Sequence, residues 1–164
     1  YPPGYAPPLA ASVLTYANIG GALGGLLLGF LMKRWDIKLP TVIMLLLALV
    51  GVTAFGIGYD SIDAWRAAAF VAMFFGNGAI VGFYAAFAKG FPAFARATGT
   101  GFVLGVGRLG AAGSPIIAGY LFKLFGADQL LLVSFCMGLG SLAALVLFLL
   151  LPMRDGDSEM AARG

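Results

Sequence analysis

Five apolar runs, at residues 9–32, 39–59, 64–88, 98–122 and 130–151, leave this chain few ways to fold. Each reaches the roughly 20 helical residues that cross a hydrocarbon core. The polar connections between them are short: "KRWDIK", "DSID", "KGFPAFARA" and "KLFGADQ". None of the runs alternates apolar with polar residues, so the pattern predicts helices rather than strands. Helices also satisfy their own backbone N–H and C=O groups, as lipid requires. Composition agrees, with 61% hydrophobic residues and only 10% charged, where a soluble domain carries about 25% charged residues. The expectation is an all-α membrane protein, a bundle of five transmembrane helices.

Local signals set the ends of these helices. Pro40 sits at a helix start, where its missing N–H is harmless, and Ser61 is placed to cap the third helix. Pro152 closes the fifth run ahead of a polar tail, residues 152–164. The opening "YPPGYAPPLA" has no Met and no signal-peptide pattern, so residues 1–8 read as the remnant of a Pro-rich external loop and the chain as a piece of a longer one.

Lys and Arg orient the bundle. Lys33, Arg34, Lys38, Lys89, Arg96, Arg154 and Arg163 fall on one side, Arg66 and Lys123 on the other. The richer side is expected to be cytoplasmic, which puts the start of the chain outside and its C-terminus inside. Cations spaced between apolar runs read as membrane flanks, so the lipid bilayer is the expected partner and nucleic acid is not. The chain has no His and a single cysteine, Cys136, which argues against a disulfide framework, a metal site or a cofactor. No run carries paired acids or a nucleophile beside a base, so an enzyme is not expected.

The stretch "GVGRLGAAGSP", residues 105–115, fits the G-x-G-x-x-G spacing of a dinucleotide loop. That motif requires a preceding strand and a βαβ frame, and here it lies midway along a membrane run. Arg108 would stand about 15 Å along the fourth helix at ~1.5 Å per residue, near the middle of a core ~30 Å thick. A guanidinium there needs a water-filled cavity, a polar partner or an anion. Its helical face carries Gly101, Leu104, Gly105, Ala111, Ala112 and Pro115, which leave room for a ligand or a neighbouring backbone. Two uses stay open: substrate binding or gating, and bonds to the carbonyls of an adjacent helix. Gly105, Gly110 and Pro115 are candidate packing residues.

Gly21, Gly25 and Gly29 repeat a small-xxx-small pattern that lets helices touch backbones. Asn77 shares a face of the third helix with Phe70, Phe74, Val81 and Tyr84. That stripe could hold a small organic molecule, with Asn77, Phe74 and Tyr84 as its contacts, or Asn77 could bond another helix. Ser12, Thr15, Tyr16 and Asn18 could line an entrance or join helices. "GALG…GFLMK" and "GAAG…GYLFK" echo each other on runs of opposite direction, as inverted repeats do in secondary transporters. No Asp or Glu falls inside the five runs, so a proton-coupling group would lie elsewhere.

Residues 76–122, "GNGAIVGFYAAFAKGFPAFARATGTGFVLGVGRLGAAGSPIIAGYLF", resemble the tenth and eleventh helices of major facilitator superfamily transporters. The aromatic acid:proton symporter branch reads similarly there: N-G-A-Q, then Y-P-x-x-x-R-A-T-G, then G-x-G-R-x-G. Asn77–Ala79, Pro92, Arg96–Gly99 and Gly105–Gly110 match without gaps. "GFLMKRWDIK" resembles the loop between the eighth and ninth helices, matching at Gly29, Leu31, Arg34 and Lys38. This sequence departs from the pattern at Lys33 and Asp36 in that loop, and at Ile80 in place of glutamine.

The resemblance implies the eighth to twelfth helices of a twelve-helix carrier, in a bacterial inner (plasma) membrane, partnered by N-terminal helices of the same protein. It implies alternating access and proton-coupled uptake of a small organic anion such as an aromatic acid. Asn77 and Tyr84 would face the central cavity and Arg108 the seam between halves. Gly29, Lys33, Arg34, Asp36, Lys38 and Arg96 would form the cytoplasmic gating loop. A drug or sugar transporter of the same fold, or a membrane scaffold subunit without transport, are the alternatives.

Overall fold

The computed structural model describes residues 7–126 and 129–150. The polar tail 152–164, with Arg154 and Arg163, and most of the Pro-rich opening lie outside the described residues. Five helices follow one another: α1 (Pro7–Leu31), α2 (Lys38–Phe55), α3 (Ile62–Gly90), α4 (Arg96–Phe125) and α5 (Leu130–Leu150). All five are long and apolar enough to cross a membrane, and no strand occurs among the described residues. At 18 to 30 residues they are about 27 to 45 Å long, so the longer ones must tilt or extend past the hydrocarbon. Pro7 opens α1, earlier than the sequence pattern suggested.

α2 stops at Phe55, four residues short of Tyr59. Gly56 ends the helix and Gly58 takes a φ of 78°, a left-handed conformation that glycine alone adopts without strain. The turn is then fixed by side chains. The Tyr59 hydroxyl donates to the Ala54 carbonyl at 2.8 Å, and the Trp65 indole donates to the Tyr59 carbonyl at 2.7 Å. Phe55 and Tyr59 meet the Trp65 ring edge-on, 5.0 and 5.8 Å between centroids. Amphipathic rings of this kind favour the membrane–water boundary. Ser61 caps α3, its side chain accepting from the Ala64 N–H at 3.2 Å, and Asp63 adds negative charge to the first turn. Both satisfy or complement the exposed donors of a helix start.

α3 is the hub: α1 lies along it, α2 packs on it, and α5 packs on α2. The best-buried cluster, Leu28, Met44, Leu45, Ala79, Ala86, Leu145 and Phe148, draws on all four of these helices. Phe83 and Phe148 lock it with an edge-on ring contact at 5.0 Å. Hydroxyls in the apolar interior bond their own helix. Thr41 donates to the Ile37 carbonyl at 2.6 Å and Thr53 to the Leu49 carbonyl at 2.8 Å, which satisfies these two hydroxyls within the helix. The buried Thr100 hydroxyl, by contrast, has no hydrogen-bond partner among the described residues. The outer surface is lined with large apolar side chains, including Phe30, Leu26, Leu147 and Leu150. So extensive an exposed apolar surface suits lipid, not water.

α4 differs from the others. None of its residues is buried, and it touches α3 and α5 at few points. Pro115 interrupts its hydrogen-bond ladder without breaking it, and the neighbouring Ser114 hydroxyl donates to the Ala111 carbonyl at 2.8 Å.

Candidate functional site

The closest helix–helix approach is the seam between α1 and α3, and glycine makes it possible. A Cβ on Gly20 would strike the carbonyl of Phe70, and one on Gly24 the carbonyl of Phe74. On the opposing helix, a Cβ on Gly78 would come within 3.2 Å of the Gly24 carbonyl. Backbone therefore lies on backbone, the geometry that small residues permit in membranes. Gly21 and Gly25 flank the seam against the side chains of Asn77 and Val81. Gly29 has open space beside it.

Asn77 occupies the middle of this seam. Its Nδ2 donates to the Gly21 carbonyl at 2.9 Å, reaching across to α1. This is the interhelical bond left open by the sequence, and it ties the two helices at mid-depth. Phe74 is half-buried beside it, stacked with Phe70 at 6.1 Å and edge-on to Phe75 at 5.2 Å. Tyr84 lies two turns further along α3 and is exposed. The structure thus brings Asn77 and Phe74 to the α1–α3 contact and leaves the Tyr84 ring on an open surface.

Arg108 is exposed on α4 and makes no hydrogen bond or ion pair among the described residues. Added Cβ atoms on Gly105, Gly107 and Gly110 would meet nothing within 4 Å, and Pro115 is exposed too. These five helices alone do not shelter the guanidinium, nor do they use Gly105 and Gly110 for packing.

At the end of the molecule shared by the α1–α2 and α3–α4 connections, Lys33, Arg34 and Asp36 are exposed and Lys38 is half-buried at the start of α2. The Lys33 ammonium sits 5.1 Å from the centroid of the Phe30 ring. No ion pair links Asp36 to Lys33, Arg34 or Lys38 among the described residues. Arg96 is half-buried at the first position of α4.

Three features escaped the sequence reading. Gly20 and Gly24 carry the tightest contact, although their i, i+4 spacing was visible one residue away from the glycines chosen. Gly82 accepts the buried Thr41 side chain where a methyl would collide. At the opposite end of the bundle Arg66 joins α3 to α1, its Nε donating to the Ser12 hydroxyl at 3.0 Å. Ser12 and Thr15 also bond carbonyls of their own helix, at 2.7 and 3.0 Å.

Five spanning helices around glycine seams, with polar groups confined to a few interhelical contacts, define an integral membrane protein. The benzoate transport protein of Acinetobacter baylyi is 34% identical to it over 107 residues, which is 65% of this chain and 23% of the relative. The 3-(3-hydroxy-phenyl)propionate transporter of Escherichia coli is 36% identical over 124 residues, 74% of this chain and 30% of the relative. The chain is a homologue of transporters of the major facilitator type, and its five helices fit part of that fold. It spans less than a third of the length of either relative. No family model matches the chain, and no solved structure matches it significantly.

Proposed function

We propose that these helices are the last five of a twelve-helix secondary transporter that takes up a small aromatic acid by alternating access. The observation that carries this reading is the agreement between two relatives, both named for aromatic acids. The α1–α3 seam supports it mechanically. Backbone contact at Gly20 and Gly24 presents few side-chain knobs, so a modest rocking of one helix on the other stays within the packed geometry. Asn77 would release or re-form its Gly21 bond during that motion, and Phe74 and Tyr84 would offer rings to the substrate.

In this reading Arg108 meets the substrate carboxylate, or a polar group on helices of the other half, within the assembled carrier. A bare guanidinium at mid-depth is strongly disfavoured in lipid, so an anion or polar partner there accounts for it. Lys33, Arg34, Asp36, Lys38 and Arg96 would form the cytoplasmic contacts that hold one conformation. The membrane would be a bacterial inner membrane, with α1 beginning outside. Proton coupling would use a carboxylate beyond these spans, since the described helices carry only Asp63, in the first turn of α3.

Uptake into vesicles tests this directly. Full-length protein reconstituted with an inward proton gradient should accumulate radiolabelled benzoate, and a protonophore should stop it. Arg108→Ala should abolish uptake while membrane insertion stays intact. Accumulation of sugars or lipophilic cations instead of benzoate would refute the substrate class, and normal kinetics in Arg108→Ala would refute its role.

A further inference from the structure

Arg66 sits where neither helix electrostatics nor the charge bias of membrane proteins favours a cation. It is the fifth residue of α3, near the positive end of the helix dipole. It also lies on the side of the bundle poorer in Lys and Arg. Yet its side chain is only 25% exposed and firmly placed. Nε donates to the Ser12 hydroxyl at 3.0 Å, Nη1 donates to Asp63 Oδ1 at 2.8 Å, and the guanidinium carbon stands 5.6 Å from the centroid of the Tyr16 ring. Nη2 has no hydrogen bond among the described residues.

The same residues border a cleft of about 390 Å³, lined by Tyr16, Ile19, Asp63, Arg66, Ala67 and Phe70. That volume is within the roughly 300–1,000 Å³ of small-molecule sites. Its walls hold one cation, one carboxylate, two aromatic rings and two aliphatic side chains. A planar guanidinium pairs a carboxylate through two parallel hydrogen bonds, while rings and methyl groups favour an apolar, flat body. We propose that this cleft is an outer recognition site for an aromatic carboxylate, with Arg66 binding the carboxylate and Tyr16 and Phe70 packing on the ring. The choice of an aromatic acid rests on the transporter reading above.

Asp63 marks the place of the ligand's carboxylate. It is 84% exposed and pairs with Arg66 one turn along the same helix, and exposed pairs of this kind are weak. An incoming carboxylate with a ring to bury displaces it, and Asp63 turns to water. Phe70 links the site to the seam, because its carbonyl is the group that faces Gly20. A ligand held here therefore rests at the outer end of the contact along which α1 and α3 move.

The test is equilibrium binding of radiolabelled benzoate to purified full-length protein in lipid nanodiscs, with benzamide as the uncharged competitor. Wild-type protein should bind benzoate saturably and benzamide should not displace it. Arg66→Gln should weaken binding about tenfold or more, and Arg66→Lys less, since it keeps the charge but loses the planar fork. Asp63→Asn should tighten binding about threefold, because the internal competitor is gone. Absence of saturable binding, an Arg66→Gln affinity within twofold of wild type, or no gain from Asp63→Asn would each overturn the site. Should Arg66→Gln fail to fold, the exposed Asp63→Asn variant decides. Uptake separates this site from the transport reading. Binding without uptake sinks the transport reading alone, whereas uptake with an unchanged KM in Arg66→Gln sinks only the site.

Discussion

Gly24→Ala and Gly29→Ala are chemically the same change on the same helix, and the structure gives them opposite consequences. At Gly24 the new methyl runs into the carbonyl of Phe74, with the Phe74 Cα only 3.0 Å away. The obstacle is helix backbone, so no side-chain rotation can clear it and α1 must move off α3. Overpacking of this kind costs about 1–3 kcal/mol. The movement also stretches the 2.9 Å bond from Asn77 to Gly21, and interhelical bonds in membranes average about 0.6 kcal/mol and reach about 1.7. Better helix propensity returns at most ~1 kcal/mol. The net expectation is a loss of about 1–3 kcal/mol. At Gly29 no heavy atom lies within 4 Å of the new methyl, so only the propensity gain of ~0.5–1 kcal/mol or a smaller one remains. Reversible unfolding of full-length protein in mixed micelles at increasing dodecyl sulfate would read both. A Gly24→Ala protein as stable as wild type, or a Gly29→Ala protein equally destabilised, would refute the backbone-contact seam.

Gly82→Ala should destabilise in the same assay by about 1–3 kcal/mol, because its methyl meets the buried Thr41 side chain; an unchanged midpoint would contradict that packing. Asn77→Leu keeps a similar volume and removes the bond to Gly21, so a loss of about 0.6–1.7 kcal/mol is expected, and no loss would mean the bond carries no stability. Ser61→Ala removes the acceptor for the Ala64 N–H and should cost about 1 kcal/mol, with Ser61→Asp recovering it. Failure of the aspartate to recover stability would argue against a capping role.

Much of the fold was legible because lipid imposes so narrow a menu. Long apolar runs with short polar links can only be spanning helices, and Ser61 announced its capping role by standing just ahead of Asp63 and a long apolar stretch. The end of α2 was not legible, because "GIGY" is nearly as apolar as the helix before it and only the backbone reveals the turn at Gly58. The α1 seam was read one residue off. In a soluble helix the polar face would have shown which glycines point inward, but α1 from Ile19 to Leu31 is apolar on every side, so Gly20 and Gly24 could not be told from Gly21, Gly25 and Gly29. For Asn77 the residue type named two uses, and geometry supplied the bond to Gly21. Counting along the sequence put Arg108 well inside its helix, as α4 (Arg96–Phe125) has it, but gave no partner for it, since α4 has little contact with the other four helices. Arg66 was seen as a charge on a flank; its contact with Ser12, 54 residues away in sequence, carries no sequence signal.

Everything in this fold depends on the chain crossing the bilayer five times. Single cysteines placed at Asp36, Asp60, Phe94 and Gln129, in a Cys136→Ser background, would test it in sealed vesicles of both orientations with a membrane-impermeant maleimide. Positions 36 and 94 should label from one side and positions 60 and 129 from the other. Labelling of all four from the same side would contradict it.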